Sequence, residues 1–359
     1  MKYQPPQKGV LIFLAAGSSQ IPLIQKAKDL GYSIVAIDQN EKAPGFLYAD
    51  FKIYHSTHDG DSIIHKLKKL NLKFIGIINK SSGPPVFTSA LISKKFKLPG
   101  IPINSCKSLV NKDQMRTSCK NYKIPIPKYK IFSSKQIRNN RQFNYPVIVK
   151  PSLSLKGKSG ISLVSSNNKI NSALNYAFDN TINKKVLVEE YLQGLDFSLI
   201  SFVNNKKLFP ICLLEELNIV DKKGSVMPRG YRTIKQKDFH FKEKANAIAQ
   251  KIISKFGIVR SPLNISFRST ANKALKIIEV HLDIGGDFLL EKFFPKAMSF
   301  DFKKLIIEMS IGSAKVPKDL NMKPTALFYK HNLVSNKNFE VITANSNKIL
   351  DKKILNLSL

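Results

Sequence analysis

The segment Pro146-Val147-Ile148-Val149-Lys150-Pro151, followed at once by Ser152-Leu153-Ser154-Leu155-Lys156-Gly157-Lys158-Ser159-Gly160, constrains this chain more than any other. Its apolar run reads as a short buried strand that brings one lysine, Lys150, to its end. Ile161 to Val164 reads as a second strand returning from the loop. The loop between them is small, flexible and basic. Its backbone N–H groups can converge on phosphate oxygens, and lysine supplies point charge for the same target. An ordinary hairpin with a lysine-rich tip fits the segment as well when it is taken alone. A Walker A loop does not fit, because Gly-Lys is not followed by Ser or Thr opening a helix.

Two later segments narrow the choice. Val186-Leu187-Val188-Glu189-Glu190-Tyr191-Leu192-Gln193-Gly194-Leu195-Asp196-Phe197-Ser198 reads as strand, turn and strand. Ile277-Ile278-Glu279-Val280-His281-Leu282-Asp283-Ile284-Gly285-Gly286-Asp287 is a buried strand ending in alternating acidic and imidazole groups. Alternation along a strand places Glu279, His281 and Asp283 on one face. Hard oxygen ligands on one face suit Mg²⁺ held between protein and nucleotide phosphates. The plain alternative is a strand whose polar edge faces solvent.

With these segments in this order, the chain resembles the ATP-grasp superfamily over roughly residues 8–312. The likeness is to its carboxylate–amine ligases, akin to biotin carboxylase and carbamoyl-phosphate synthase. Lys112, in Asn111-Lys112-Asp113-Gln114-Met115, matches the family's first nucleotide lysine, and Lys150 matches the second. The 152–160 loop, with Ser159 and Gly160, matches the mobile loop that closes over the phosphates. Glu189, Glu190, Tyr191 and Leu192 match the hinge whose backbone reads the adenine edge. Asp196 falls where the family places an acid near the ribose hydroxyls, and Glu279 matches the metal-bridging glutamate of its Glu-x-Asn-x-Arg element.

Three positions depart from the family pattern. His281 stands for the asparagine of that element, Asp283 for its arginine, and Ser266 for the earlier acidic or amide metal ligand. A serine is a poor replacement for a carboxylate at a magnesium site, and His281 with Asp283 restores a charge and a ligand. The resemblance implies ATP and Mg²⁺, with Mn²⁺ as a substitute ion. It implies Lys150 and Glu279 as catalytic and Glu279 as holding metal, and His281 and Asp283 join both groups as replacements for the ligand missing at Ser266. The implied reaction turns a small-molecule carboxylate into an acyl phosphate, which an amine or other nucleophile captures. The alternative is a degenerate member that binds nucleotide without ligase activity.

The formal charge of +33 opens a third reading, nucleic-acid binding. The composition argues against specific recognition: 51 of the 58 basic residues are lysine, scattered rather than blocked, whereas bidentate readers are arginine-rich. Cys106, Cys119 and Cys212 are odd in number and lack metal-ligand spacing, which fits reduced thiols and a cytoplasmic setting. Lys2 and Lys8 before Gly9-Val10-Leu11-Ile12-Phe13-Leu14-Ala15-Ala16-Gly17 mimic a secretion signal. Pro5 and Pro6 interrupt its basic part, and cleavage would delete the first strand of a β-α-β pattern running on to Asp38. No later apolar stretch approaches the ~20 residues that span a bilayer. No membrane partner is expected, and a homodimer is compatible with the family.

The fold class expected is α/β: an N-terminal open α/β domain over 1–105, then a two-subdomain α+β ATP-grasp over 106–312 with its lid near 128–192. Strands are expected near 9–15, 33–37 and 73–78, with helices near 20–31, 61–70 and 86–96. Leu98-Pro99-Gly100-Ile101-Pro102 is a stiff connection and the best boundary, followed by one helix near 107–122. Residues 215–239, with Arg229 and Arg232, read as irregular chain lining the acceptor side, where an arginine fork could hold a carboxylate. Residues 313–359 read as a short β-rich appendage and tail.

Overall fold

Val10–Leu14 (β1) is buried along its whole length, as an unbroken apolar run must be when helices cover both faces of a parallel sheet. The computed structural model describes residues 8–133, 143–154, 159–220, 224, 226–284, 288–317, 320–329 and 339–355. Gly157 of the basic loop and Gly285-Gly286-Asp287 lie outside them.

From β1 the chain runs through α1 (Ile21–Asp29), β2 (Ser33–Asp38), β3 (Phe51–Tyr54), α2 (Gly60–Lys69), β4 (Phe74–Asn79) and α3 (Pro84–Phe96). The four strands are parallel in the order β3-β2-β1-β4, the open α/β layer that the sequence pattern implied. The sequence reading missed β3. It is only four residues long, with Ile53 its one fully buried residue, too short for its alternation to stand out.

The single helix expected near 107–122 is two, α4 (Ile103–Val110) and α5 (Lys112–Asn121). Asn111 between them is extended, at φ −86° and ψ 120°, which puts Lys112 in the first turn of α5. A small antiparallel sheet follows, in the order β5-β8-β6-β7. It is built from β5 (Tyr129–Phe132), β6 (Val147–Pro151), β7 (Ser162–Val164) and β8 (Val186–Glu190), with α6 (Ile170–Asp179) packed on it.

The large sheet uses β9 (Asp196–Asn204), β10 (Lys207–Val220), β11 (Val226–Thr233), β12 (Arg260–Ser269) and β13 (Leu275–His281), with α7 (His240–Phe256) between β11 and β12. Beyond a π-helical turn at Leu289–Phe293 come α8 (Phe294–Ala297), α9 (Phe302–Ile311), β14 (Thr325–Tyr329), β15 (Phe339–Thr343) and α10 (Asn347–Leu355). The order is β13-β12-β9-β10-β11-β14-β15, seven strands in one sheet.

This sheet corrects two expectations. Residues 215–239 are not mainly irregular, because β10 and β11 pair across them. The register slips between Leu217 and Asn218, and Pro228 sits at that slip, where a proline without an N–H is tolerated. Gly230 (φ 142°) lies so close to β14 that a Cβ would stand 1.8 Å from the Leu327 carbonyl oxygen. The C-terminal segment is no appendage either: β14 pairs with β11 and continues the same sheet.

Along β12 burial alternates strictly. Ser261, Leu263, Ile265, Phe267 and Ser269 face a core shared with α7, and Pro262, Asn264, Ser266 and Arg268 face the other way. On that other side of the sheet, Ile200, Phe202 and Leu214 share a core with Phe294, Phe302 and the underside of β1. Among the described residues no helix is long and apolar enough to cross a membrane. All three cysteines are free and buried, and burial pushes Cys106 up to about 12 and Cys119 up to about 11, so both remain thiols.

Candidate active site

Pairing of β6 with β8 sets Ile148 opposite Glu189 and Lys150 opposite Leu187, so Lys150 and Glu189 are diagonal neighbours on one face. Lys150 Nζ lies 2.8 Å from Glu189 Oε2, and both side chains are almost fully buried. Arg116 closes the cluster from α5. Its Nε and Nη2 donate to the two Glu189 oxygens at 2.7 and 3.1 Å, a bidentate fork with no exposed guanidinium surface. Burial pulls Lys150 down to about 8, against the opposing pull of Glu189 and helped by the Arg116 charge. Burial alone would raise the Glu189 carboxyl, but Arg116 and then Lys150 hold it below its ordinary value.

A bulge links this cluster to the neighbouring strand. Ser266 pairs with Glu279 and Phe267 with Ile277, so Ile278 is the extra residue of β13. The Ile278 carbonyl accepts from Arg116 Nη2 at 2.9 Å. The bulge also changes the phase of the strand. Leu275 and Ile277 are buried before it and Val280 and Leu282 after it, which turns Glu279 and His281 to the cleft.

Glu279 meets two bases there. Lys112 Nζ is 2.5 Å from Oε1, and His281 Nε2 is 3.4 Å from Oε2. Burial would raise the Glu279 carboxyl, yet Lys112 and the His281 hydrogen bond hold it well below the usual carboxylate range. Burial works against the His281 charge, but Glu279 outweighs it and raises the imidazole to about 9. The protonated ring donates to Glu279 in this arrangement. Asp283, beyond the end of β13, is 2% exposed and lines the same cleft.

The cleft has a volume of about 850 Å³, and Lys112, Ser159, Glu216, Ser266, Glu279, His281 and Asp283 contribute to its wall. Ser266 Oγ donates to Glu216 Oε1 at 2.8 Å, so a carboxylate from β10 stands beside the serine that lacks one. Among the described residues no group of three or more His, Cys, Asp or Glu could hold a metal ion alone. Glu279 and the Glu216–Ser266 pair are nonetheless hard oxygen donors on one wall, which fits a Mg²⁺ completed by phosphate oxygens and water.

The remaining sequence candidates lie apart from this wall. Glu190 accepts from the Lys128 amide at 2.9 Å and from Lys276 at 2.6 Å. Arg268 ties the rest together: its Nη2 donates to the Tyr191 hydroxyl, its Nε to the Leu192 carbonyl, and its Nη1 to both Asp196 oxygens. Glu190, Tyr191, Leu192 and Asp196 do not border the cleft, and buried Gly160 packs on Pro151 and Asn180. Arg232, one of the arginines that could form a carboxylate fork, turns to Asp351 at 2.6 Å and Glu215 at 3.7 Å. Sequence reasoning missed the roles of Arg116 and Arg268. Arg116 had a signal, since it follows Lys112 by one helical turn and shares its face. For Arg268 the signal was weaker, a charged residue on the outward phase of β12.

The family model "D-ala D-ala ligase C-terminus" matches residues 119–226. Formate-dependent phosphoribosylglycinamide formyltransferase of Prochlorococcus marinus subsp. pastoris is 27% identical over 202 residues, 53% of this chain and 50% of that protein. The chain spans about half the length of the curated relatives it matches. N5-carboxyaminoimidazole synthetase from Staphylococcus aureus, solved with ADP, superposes with a TM-score of 0.77 at 14% identity, covering 98% of this chain and 97% of that one. L-amino acid ligase from Bacillus licheniformis superposes with a TM-score of 0.76 at 15% identity, covering 92% and 81%. At such identities the likeness to the two solved structures is one of fold.

Proposed function

We propose that this chain, which has the fold of the ATP-grasp carboxylate–amine ligases, uses ATP to activate a small-molecule carboxylate for capture by an amine or other nucleophile. The observation that carries the proposal is the grouping of Lys112 and Lys150 with the carboxylates that fix them, Glu279 and Glu189, next to a cleft with Lys112 and Glu279 on its wall. Lysines held in place in this way suit a polyphosphate, because phosphoryl transfer needs chiefly positioning and charge neutralisation.

In this reaction a carboxylate oxygen attacks the γ-phosphorus, the bond from that phosphorus to the β–γ bridging oxygen breaks, and ADP leaves with the electron pair. The amine then attacks the acyl carbon and loses a proton, and the acyl–oxygen bond breaks to release inorganic phosphate. Lys112 and Lys150 hold phosphate oxygens. Arg116 and Glu189 are positioning residues that fix Lys150, and His281 orients Glu279. Glu279, with Glu216, Ser266 and Asp283 nearby, would hold Mg²⁺, which supplies neutralising charge to phosphate oxygens when bound. Ser159 and Gly160 border the phosphates, and Glu189 to Leu192 with Asp196 form the adenosine side.

The test is ADP release with Mg²⁺-ATP against panels of carboxylates and amines. Release that depends on a carboxylate supports the proposal. A nucleotide binder without ligase activity is the second reading, favoured by Ser266 where a carboxylate is expected. Stabilisation by Mg²⁺-ATP with no ADP release from any panel would select it.

A further inference from the structure

Lys112 and Lys150 belong to different packing units. Helix α5 buries Met115 and Cys119 in the core that α7 forms with the large sheet, whereas Val147 and Val149 of β6 pack with α6 in a separate core. Contacts between the two units therefore set the spacing of the lysines. The Arg116 fork on Glu189 is one such tie. A single tie leaves the units free to pivot about it, and a second tie removes that freedom.

The second tie joins Asp113, which follows Lys112, to Ser152, which lies just beyond Lys150 and Pro151. The Lys112 amide donates to the Ser152 carbonyl at 3.1 Å. The Ser152 hydroxyl is saturated: it donates to Asp113 Oδ1 at 2.5 Å and accepts from the Asp113 amide at 3.2 Å and from Asn183 Nδ2 at 3.1 Å. The Ser152 amide donates to the Lys185 carbonyl at 2.9 Å, and Lys185 Nζ returns to Asp113 Oδ2 at 2.8 Å. Ser152 and Asp113 are buried, while the Lys185 side chain is half-exposed. Burial would raise the Asp113 carboxyl, but the hydrogen bonds from Lys185 and Ser152 hold it below its ordinary value, so it stays an acceptor. Asp113, Ser152, Asn183 and Lys185 do not border the cleft, so the network acts through the lysines rather than on a ligand.

We infer that the Ser152–Asp113 clamp sets the spacing of Lys112 and Lys150 so that both meet one polyphosphate, a positioning role that rests on the nucleotide site proposed above. The hydrogen bonds of the Ser152 hydroxyl do the positioning, and Lys185 keeps the buried Asp113 charge from standing alone.

Calorimetry on the full chain with a non-hydrolysable Mg²⁺-ATP analogue, well below each protein's melting temperature, tests this. The proteins compared are the wild type, Ser152→Ala, Asp113→Ala, and a double variant carrying Asp113→Asn and Lys185→Met. In the double variant the asparagine keeps an oxygen to accept from Ser152, and methionine removes the ammonium that the new amide would otherwise face. Ser152→Ala and Asp113→Ala should each weaken the analogue at least about tenfold, since a misplacement of about 1 Å at such a site costs as much as about a hundredfold. The double variant should bind more tightly than either alanine variant. One alanine variant suffices should the other fail to fold. A clamp that only holds the fold together would lower the melting temperature of the variants and leave the affinity of the folded protein unchanged, and that result overturns the inference. A double variant as weak as the alanine variants overturns it too. In both cases the wild type still binds nucleotide, and the ATP-dependent reading stands. A wild type that does not bind the analogue sinks that reading and the positioning role together.

Discussion

Arg116→Met probes the buried electrostatics of the site most directly. Arg116 is wholly buried, donates twice to Glu189 and once to the Ile278 carbonyl. Methionine fills much of the same volume without charge, so Glu189 keeps only Lys150 as a partner. Removing one member of a buried ion pair costs about 3–5 kcal/mol, because the other charge stays desolvated. The orphaned carbonyl adds to this, and Lys150 offsets part of it, so about 3–5 kcal/mol is expected overall. The chain has no tryptophan, so urea unfolding is best followed by circular dichroism. The sign of the pH dependence follows from Glu189, whose carboxyl is depressed in the folded state. Its contribution is complete above the ordinary glutamate value of about 4.3 and is lost as pH falls through the folded value, so the gap between wild type and variant narrows in acid. Glu189→Met in the Arg116→Met background removes both charges. The double variant should be about 2 kcal/mol or more less destabilised than the sum of the single variants. A single-variant cost below about 1 kcal/mol at neutral pH, or strict additivity, would refute the picture of a tightly coupled buried cluster.

Mg²⁺-ATP should stabilise the fold by about 2.7 kcal/mol at a hundredfold excess over its dissociation constant, and Lys150→Ala should reduce that gain. Equal thermal shifts in the two proteins would remove Lys150 from the nucleotide site. Because burial pulls Lys150 down to about 8, its proton in the unliganded protein is lost above that pH, and nucleotide affinity should fall as pH rises through it. Titration calorimetry between pH 7 and 9 reads this, and the fall should be absent in Lys150→Ala. Stability without nucleotide should change the other way, rising as pH climbs from about 8 toward the ordinary lysine value of about 10.4. Glu279→Gln should abolish ADP release while largely retaining the thermal shift with a non-hydrolysable analogue, and unchanged turnover would take the metal role from this residue.

Where the fold was legible, one local signal decided it. Val10–Leu14 is apolar throughout and is the buried strand it looked like, and the Val147–Pro151 hairpin delivers Lys150 as its spacing implied. Where the sequence misled, two signals conflicted. Pro228 and Gly230 read as turn residues, but the register slip at Leu217 absorbs the proline, and the close approach of β14 requires the glycine. Residues 313–359 carry few apolar periods of their own, and nothing local announces that β14 pairs with a strand almost a hundred residues earlier. The site followed the same rule. Lys112, Lys150 and Glu279 stood out by motif, while Arg116 became essential only when three elements distant in sequence enclosed it.

The serine at 266 shows how such long-range placement bears on function. Read along the chain, it removes a carboxylate from the wall proposed to face the phosphates. In the folded protein β12 and β10 flank β9, so Ser266 and Glu216 reach each other across the intervening strand. The wall therefore keeps two carboxylates, Glu279 and Glu216, with the serine hydroxyl between the strands that carry them. Oxygen ligands for a hard cation need shared position more than shared sequence register. The departure at Ser266 is thus a weaker argument for a degenerate site than its identity alone makes it, because the sheet supplies from β10 the charge that β12 lacks.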